Sequence, residues 1–195
     1  MAFGVKVYKN GFFKDKRGYY WTSWKRSLIR NLKFRHDKFS LSKKNVLRGL
    51  HGDKKTWKLI SCPYGTFFLV VVNCIKNSKD YLKWKSYILS QKNGLQVLVP
   101  PNYANGHYCL SNECLFHYKL AYKGKYADVG QQFSLQWNDP KLNIKWPLQK
   151  RKKINKLKLG YIYSKPILSK RDGKCFCSLC CAQSKKKFPR RMGGF

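Results

Sequence analysis

Within residues 45–58, the run Val46-Leu47-Arg48-Gly49-Leu50-His51, followed by Lys54, Lys55 and Lys58, sets one imidazole among several cations. An imidazole titrates near neutrality, so His51 has the protonation range of a general base. Arg48 and Lys58 are fixed positive charges able to hold an anion or stabilise a developing oxyanion. Apolar and cationic residues alternate too finely here for a core helix. A strand and turn fit, with Gly49 letting the backbone pass close to a ligand. On a regular strand Arg48 and Leu50 share one face while Leu47, Gly49 and His51 share the other, and Lys58 returns on the next strand. Spacing alone does not make His51 a catalyst, because a lone strand histidine is more often a packed, hydrogen-bonded residue.

Such a strand needs a sheet to hold it. Runs of β-branched and aromatic residues at 59–75, 84–89, 95–99 and 115–122 are separated by Pro63-Tyr64-Gly65, Asn77-Ser78, Asn93-Gly94 and Pro101-Asn102. Turns recurring at this interval predict an all-β sandwich or barrel of the jelly-roll kind rather than alternating strands and helices. Asp15-Lys16-Arg17-Gly18 reads as a turn between two short strands. Trp24, Leu28, Ile29 and Leu32 have helical spacing, which predicts one short helix within residues 23–34, so one or two short helices accompany the sheet. Only four histidines occur, His36, His51, His107 and His117, with no His-x-His pair, and a barrel without a metal site is expected.

The motifs around His51 resemble the signature of the dTDP-4-dehydrorhamnose 3,5-epimerases, cupin-fold nucleotide-sugar epimerases. The similarity begins at Asp15-Lys16-Arg17-Gly18-Tyr19-Tyr20 and Val46 to His51 and continues through Lys58-Leu59-Ile60, Tyr64-Gly65, Val99-Pro100-Pro101 and Tyr118-Lys119. It extends to Trp137-Asn138-Asp139-Pro140, Ile144-Lys145-Trp146-Pro147 and Pro166 to Asp172. Within that family the pattern of His36 to Ser40, His51-Gly52-Asp53 and Asn102 to Tyr108 is most similar to a branch acting on GDP-linked 4-keto-6-deoxy sugars, heptoses included.

The resemblance implies a cupin-type jelly roll, a dTDP- or GDP-linked nucleotide-diphosphate sugar as substrate, a homodimer and a place in polysaccharide biosynthesis. It implies an epimerase that inverts C3, C5 or both of a 4-keto-6-deoxy sugar without metal or cofactor. Protons beside a keto group are acidified, so the reaction needs a base on one face, a stabiliser for the enolate oxygen and an acid opposite. By the resemblance His51 is the base, Asp172 its carboxylate partner, Tyr118 the proton donor and Lys58 the cation near the keto oxygen. Arg48 and Arg17 reach the diphosphate, Tyr20 packs by the nucleobase, and Asp37 and Ser40 face the nucleotide and sugar. The family's Phe-Ala-His-Gly segment is Tyr103-Ala104-Asn105-Gly106 here, so Asn105 takes the histidine's place and His107, two residues on, joins it as substrate-binding. Read without the family, Tyr118 is equally a core aromatic with a satisfied hydroxyl and Arg17 a solvated turn residue.

The chain has 195 residues, 43% hydrophobic and 16% aromatic, enough to close a sizeable core. The reading is one domain over residues 1–172, with a basic solvated loop at 148–160, and a disordered Cys- and Lys-rich tail at 173–195. Four cysteines, Cys62, Cys74, Cys109 and Cys114, sit in strand-like apolar surroundings and read as small buried hydrophobes in a reducing compartment. The longest apolar run, residues 67–72, is too short to span a bilayer, so the expected compartment is the cytoplasm, with no membrane partner. Forty-two Lys plus Arg against eight Asp plus Glu give a net charge of +34, so partners should be anionic. That field leaves an alternative from another class, a catalytically inactive cupin binding polyanions. A nucleic-acid partner is not expected, because no aromatic alternates with the charges of the basic run.

Overall fold

Valine, isoleucine, phenylalanine and leucine dominate the middle of the chain, and in the computed structural model, which describes residues 3–155 and 158–173, they build two antiparallel sheets packed face to face. The strands are β1 (Lys6–Lys9), β2 (Phe13–Asp15), β3 (Gly18–Tyr20), β4 (Phe34–Lys43), β5 (Leu47–Gly52), β6 (Trp57–Tyr64) and β7 (Thr66–Asn73). After them come β8 (Trp84–Ser90), β9 (Leu95–Val99), β10 (Tyr103–Cys109), β11 (Glu113–Ala121), β12 (Phe133–Ser134), β13 (Lys150–Asn155), β14 (Lys158–Tyr163) and the single-turn helix α1 (Lys170–Gly173). The first sheet runs β1-β9-β6-β11-β4 and the second β12-β5-β10-β7-β8. This is the cupin-type jelly roll.

The pleat sorts side chains by parity. Ile60, Val97, Val99, Cys114 and Phe116 of the first sheet meet Phe67, Leu69, Val71, Leu89 and Tyr103 of the second in a closed interior. Leu69 and Val71 are fully buried, and each such side chain contributes about 1.5–3 kcal/mol. The second sheet's other face (Leu47, Leu50, Val70, Val72, Ala104, Tyr108) is covered by Leu135, Leu142 and Trp146 from the segment after β12. Leu59 and Leu98 on the first sheet's outer face lie under Ile29, with Trp24, Leu32 and Phe34 around them. Cys62, Cys109 and Cys114 are buried free thiols, and burial pushes the Cys62 thiol up to about 12.

Two expectations are corrected. The helix expected within residues 23–34 is only a 3-10 turn, Arg26–Leu28, entered through an extended Lys25 with no side-chain cap. Trp24, Ile29 and Leu32 pack on the sheet's outer face while Leu28 stays exposed, and a segment this short and cationic cannot offset the cost of helix nucleation. The basic run read as a solvated loop is a hairpin, β13 pairing antiparallel with β14 from Lys150↔Tyr163 to Asn155↔Lys158. Tyr161-Ile162-Tyr163 supplies the strand propensity that the lysine count masked. The Cys-rich tail beyond Gly173 lies outside the described residues. No helix among the described residues is long and apolar enough to cross a membrane.

Candidate active site

The site is set by an irregularity in β5. Its register with β10 is Asn105↔His51 and His107↔Arg48, so three steps on β5 oppose two on β10, a bulge at Gly49. The bulge overturns the regular alternation expected from sequence: Arg48 now shares a face with His51, and Leu50 joins Leu47 on the other side. Both polar side chains point to the interior, toward the first sheet. Gly49 has φ +114°, and a Cβ there would lie 2.6 Å from the Gly106 Cα and 2.7 Å from the Asn105 oxygen, both backbone atoms that cannot yield. Gly49→Ala should therefore destabilise the fold by roughly 2–4 kcal/mol, read from the midpoint of urea unfolding.

His51 is held on both ring nitrogens. Nε2 lies 2.8 Å from Asp172 Oδ1, an ion-pair contact too oblique for a linear hydrogen bond, and Nδ1 lies 2.8 Å from the Ser134 hydroxyl. Asp172 reaches this position because Val46 and Ile167 form a parallel bridge, with Leu47 N donating to Ile167 O and Ile167 N to Asn45 O. That bridge brings α1 against β5. Asp172 is 7% exposed. Burial pushes its carboxyl up, but the His51 contact and a 2.8 Å hydrogen bond from the Ser169 hydroxyl outweigh it and hold the group below its ordinary value. A carboxylate so held is ionised, and its negative charge lies against the imidazole edge.

Lys58 lies on β6, the strand that follows β5, and that strand belongs to the opposite sheet. It stands on the first sheet and reaches across the interior, its Nζ donating to Asn105 Oδ1 at 3.0 Å and to the His51 carbonyl at 3.4 Å. Burial depresses the ammonium to about 8, partly countered by the Asp53 carboxylate and reinforced by Arg171. Arg48 donates through Nε to Ser42 Oγ at 3.0 Å and through Nη2 to the Leu41 carbonyl. Ser42 in turn lies 3.2 Å from His107 Nε2. His107 is 2% exposed and stacked on Phe116, and burial pushes it down to about 3, so the ring is neutral and serves to support Ser42 and Arg48. Tyr118 on β11 faces the same interior from the first sheet, its ring tilted against Phe116. Burial, with Tyr126 beside it, holds its phenol above the ordinary value, and Lys38 and Arg48 oppose this only in part.

Ser40 lies on the interior face of β4, opposite Phe116. Asp37, expected from the resemblance to face the nucleotide and sugar, does not share that face. Tyr118 pairs with Lys38 and Lys119 with Asp37, so the pleat sends Asp37 to the outer face. There it meets Lys119 at 2.6 Å and His117 at 2.9 Å, beside a groove of about 510 Å³ that Phe12, Tyr20, Trp21 and Phe39 also line. Arg17 and Tyr20 sit on the exposed β2–β3 hairpin, Arg17 paired with Asp15 at 2.6 Å and Tyr20 stacked on Phe13. With Tyr20 in the outer groove, this hairpin lies on the far side of the first sheet from His51.

The sequence reading missed Ser42, Lys38, Ser134 and Asp53. Ser42 and Lys38 share the parity of Ser40 on β4 and were open to a period-two argument. Lys38 holds its Nζ 4.1 Å from the Tyr126 ring centroid, next to Tyr118. Asp53 is 2% exposed and accepts from the backbone of Lys55 and Thr56. Ser134 lies in a two-residue strand that no periodicity marks. Among the described residues no three His, Cys, Asp or Glu side chains converge as metal ligands would.

The profile of the family described as dTDP-4-dehydrorhamnose 3,5-epimerase matches residues 3–177. The enzyme of that name from Salmonella typhimurium is 34% identical over 151 residues, covering 73% of this chain and 81% of its own. The one from Escherichia coli is 35% identical over 152 residues, covering 73% and 80%. Among solved structures, a dTDP-6-deoxy-D-glucose-3,5-epimerase from Legionella pneumophila in complex with dTDP-4-keto-L-rhamnose superposes with a TM-score of 0.74 at 31% identity, covering 88% of this chain and 86% of that one. The Bacillus anthracis dTDP-4-dehydrorhamnose 3,5-epimerase with TDP and pyrophosphate bound gives 0.75 at 28%, covering 89% and 93%. A jelly roll with these motifs in order, matched along nearly its whole described length, belongs to the dTDP-4-dehydrorhamnose 3,5-epimerase family of nucleotide-sugar epimerases.

Proposed function

We propose that this chain epimerises C3 and C5 of a dTDP-linked 4-keto-6-deoxy sugar by proton transfer alone. The observation that carries the reading is the His51–Asp172 contact at 2.8 Å inside a jelly roll that also presents Lys58, Arg48 and Tyr118 to its interior. His51 removes the proton beside the keto group, and the Asp172 carboxylate stabilises the imidazolium that forms. The Lys58 ammonium stabilises the enolate oxygen. Tyr118, on the opposite sheet, returns a proton to the other face of the sugar carbon. Electrons end where they began, so the reaction needs no redox partner.

Arg48 binds the diphosphate, held in direction by Ser42 and the neutral His107 behind it. Its planar fork matches two phosphate oxygens, which an ammonium cannot do. Arg48→Lys should therefore raise the KM for the nucleotide sugar about tenfold while changing kcat less, measured by steady-state kinetics. In this reading Arg17 and Tyr20 act from a second copy of the chain, since their hairpin lies across the sheet from His51. That arrangement supports a homodimer. Asn105, hydrogen-bonded to Lys58, orients the ammonium at the place where the family has histidine. The dTDP assignment follows the names of the relatives. The alternative of an inactive polyanion binder has only net charge behind it.

The test is incubation in heavy water with 4-keto-6-deoxy sugars linked to dTDP and to GDP. Deuterium at C3 and C5 of the dTDP-linked sugar is the expected result. Preference for the GDP-linked sugar would move the chain to the other branch, and no exchange on either would defeat the proposal.

A further inference from the structure

Both nitrogens of His51 are engaged, and only the one facing Asp172 is explained by the reaction. The other meets Ser134, which β12 sets directly across from His51 in the strand register. Ser134 Oγ also accepts from Arg171 Nη2 at 3.0 Å, and the same guanidinium reaches Gln132 Oε1 at 3.5 Å. One turn of helix thus acts on the imidazole from two sides, Asp172 directly and Arg171 through a serine.

The donor inventory fixes the protons. Asp172 is ionised and has no proton to give, so its charge at 2.8 Å favours hydrogen on the nitrogen beside it. The nitrogen beside Ser134 then has the lone pair. Arg171 has no acceptor to offer, so it must donate to Ser134 Oγ and cannot take the serine's proton. The hydroxyl is left to donate to His51. A ring held this way sits in one tautomer, with its basic nitrogen aimed and capped.

Deepening the proposed function and resting on it, we infer that Ser134, backed by Arg171, is a positioning residue: its hydroxyl holds His51 in the base-competent tautomer and caps the lone pair until a substrate displaces it. The charged groups around the ring fit this assignment. Asp172 and Arg171 come from α1, and Lys58 on β6 donates to the His51 carbonyl rather than to the ring. Opposite on β10 stands the neutral Asn105. Asp53, two residues along the chain, is occupied by backbone donors. Ser134 is therefore the hydroxyl donor on the basic nitrogen.

The test uses a pair of variants equal in volume, Ser134→Thr and Ser134→Val, so that packing is matched and only the hydroxyl differs. Long-range proton–nitrogen spectra of the ligand-free, ¹⁵N-histidine-labelled protein read the tautomer without any turnover. The native chain and Ser134→Thr should show His51 protonated on the Asp172 side alone, and Ser134→Val a mixture of both tautomers. In the exchange assay Ser134→Val should lose about tenfold in kcat with KM changed less than about twofold, and threonine should restore most of it. If valine misfolds, Ser134→Ala takes its place in both measurements. An unchanged tautomer in the variant lacking the hydroxyl, or a loss confined to KM, would overturn the inference. A shift in tautomer with no turnover in the native chain would leave the inference standing and sink the epimerase reading instead.

Discussion

His51→Asn should abolish deuterium incorporation at both C3 and C5, a fall of at least about 10³-fold, with the protein still folded. The amide occupies nearly the space of the imidazole and can still donate toward Asp172 and accept from Ser134, so the buried carboxylate keeps a partner. What the amide cannot do is hold a proton taken from carbon. The measurement is mass spectrometry of the sugar after incubation in heavy water, beside the thermal midpoint of the variant. Exchange surviving in this variant would place the base elsewhere and leave the His51–Asp172 contact a packing feature. Tyr118→Phe separates the roles: abstraction by His51 should continue, so deuterium still enters, while net inversion slows about 10²-fold for want of an acid on the opposite face.

Much of this architecture was legible because it rests on parity and turns. The strands around Leu59, Val70, Val97 and Phe116 announce themselves by β-branched and aromatic residues cut at Gly65 and Gly94, where the structure turns with positive φ. The bulge at Gly49 was not legible. A glycine says that the backbone can do something unusual, not that it will turn Arg48 onto the face of His51, which only pairing with Asn105 and His107 decides. The same limit explains Asp37, placed by motif beside the substrate and by the pleat on the far side of the sheet. Asp172 came from the family pattern alone, since no local rule connects it to a strand 120 residues earlier. The bridge between Val46 and Ile167 supplies the physical reason for that pairing. Ser134 had neither motif nor period, and only its distance from His51 brings it forward.

Lys58→Met should lower kcat/KM by about 10²–10³-fold, because a fixed positive charge aimed at the enolate oxygen is lost where few water dipoles can replace it. The pH dependence makes the test specific. Burial has brought the Lys58 ammonium from the ordinary 10.5 down to about 8, so the enolate stabiliser itself titrates just above neutrality. Activity of the native chain should then fall as pH rises through about 8, with that limb absent from the residual activity of Lys58→Met. Stability should run the other way. Below about pH 8 both folded and unfolded chains carry the proton and folding bears the full cost of the buried charge. Between about 8 and 10.5 the unfolded chain binds the extra proton, so stability rises with pH by an amount on the order of 3 kcal/mol from this group. Subtracting the Lys58→Met curve cancels the many surface lysines that titrate higher. If urea unfolding across that range gives parallel curves for the two chains, Lys58 is not held as a buried ammonium, and the assignment of the enolate charge to it fails. Opposite slopes of activity and stability over one window would instead tie the two to a single lysine, whose cost to the fold is the source of its use to the reaction.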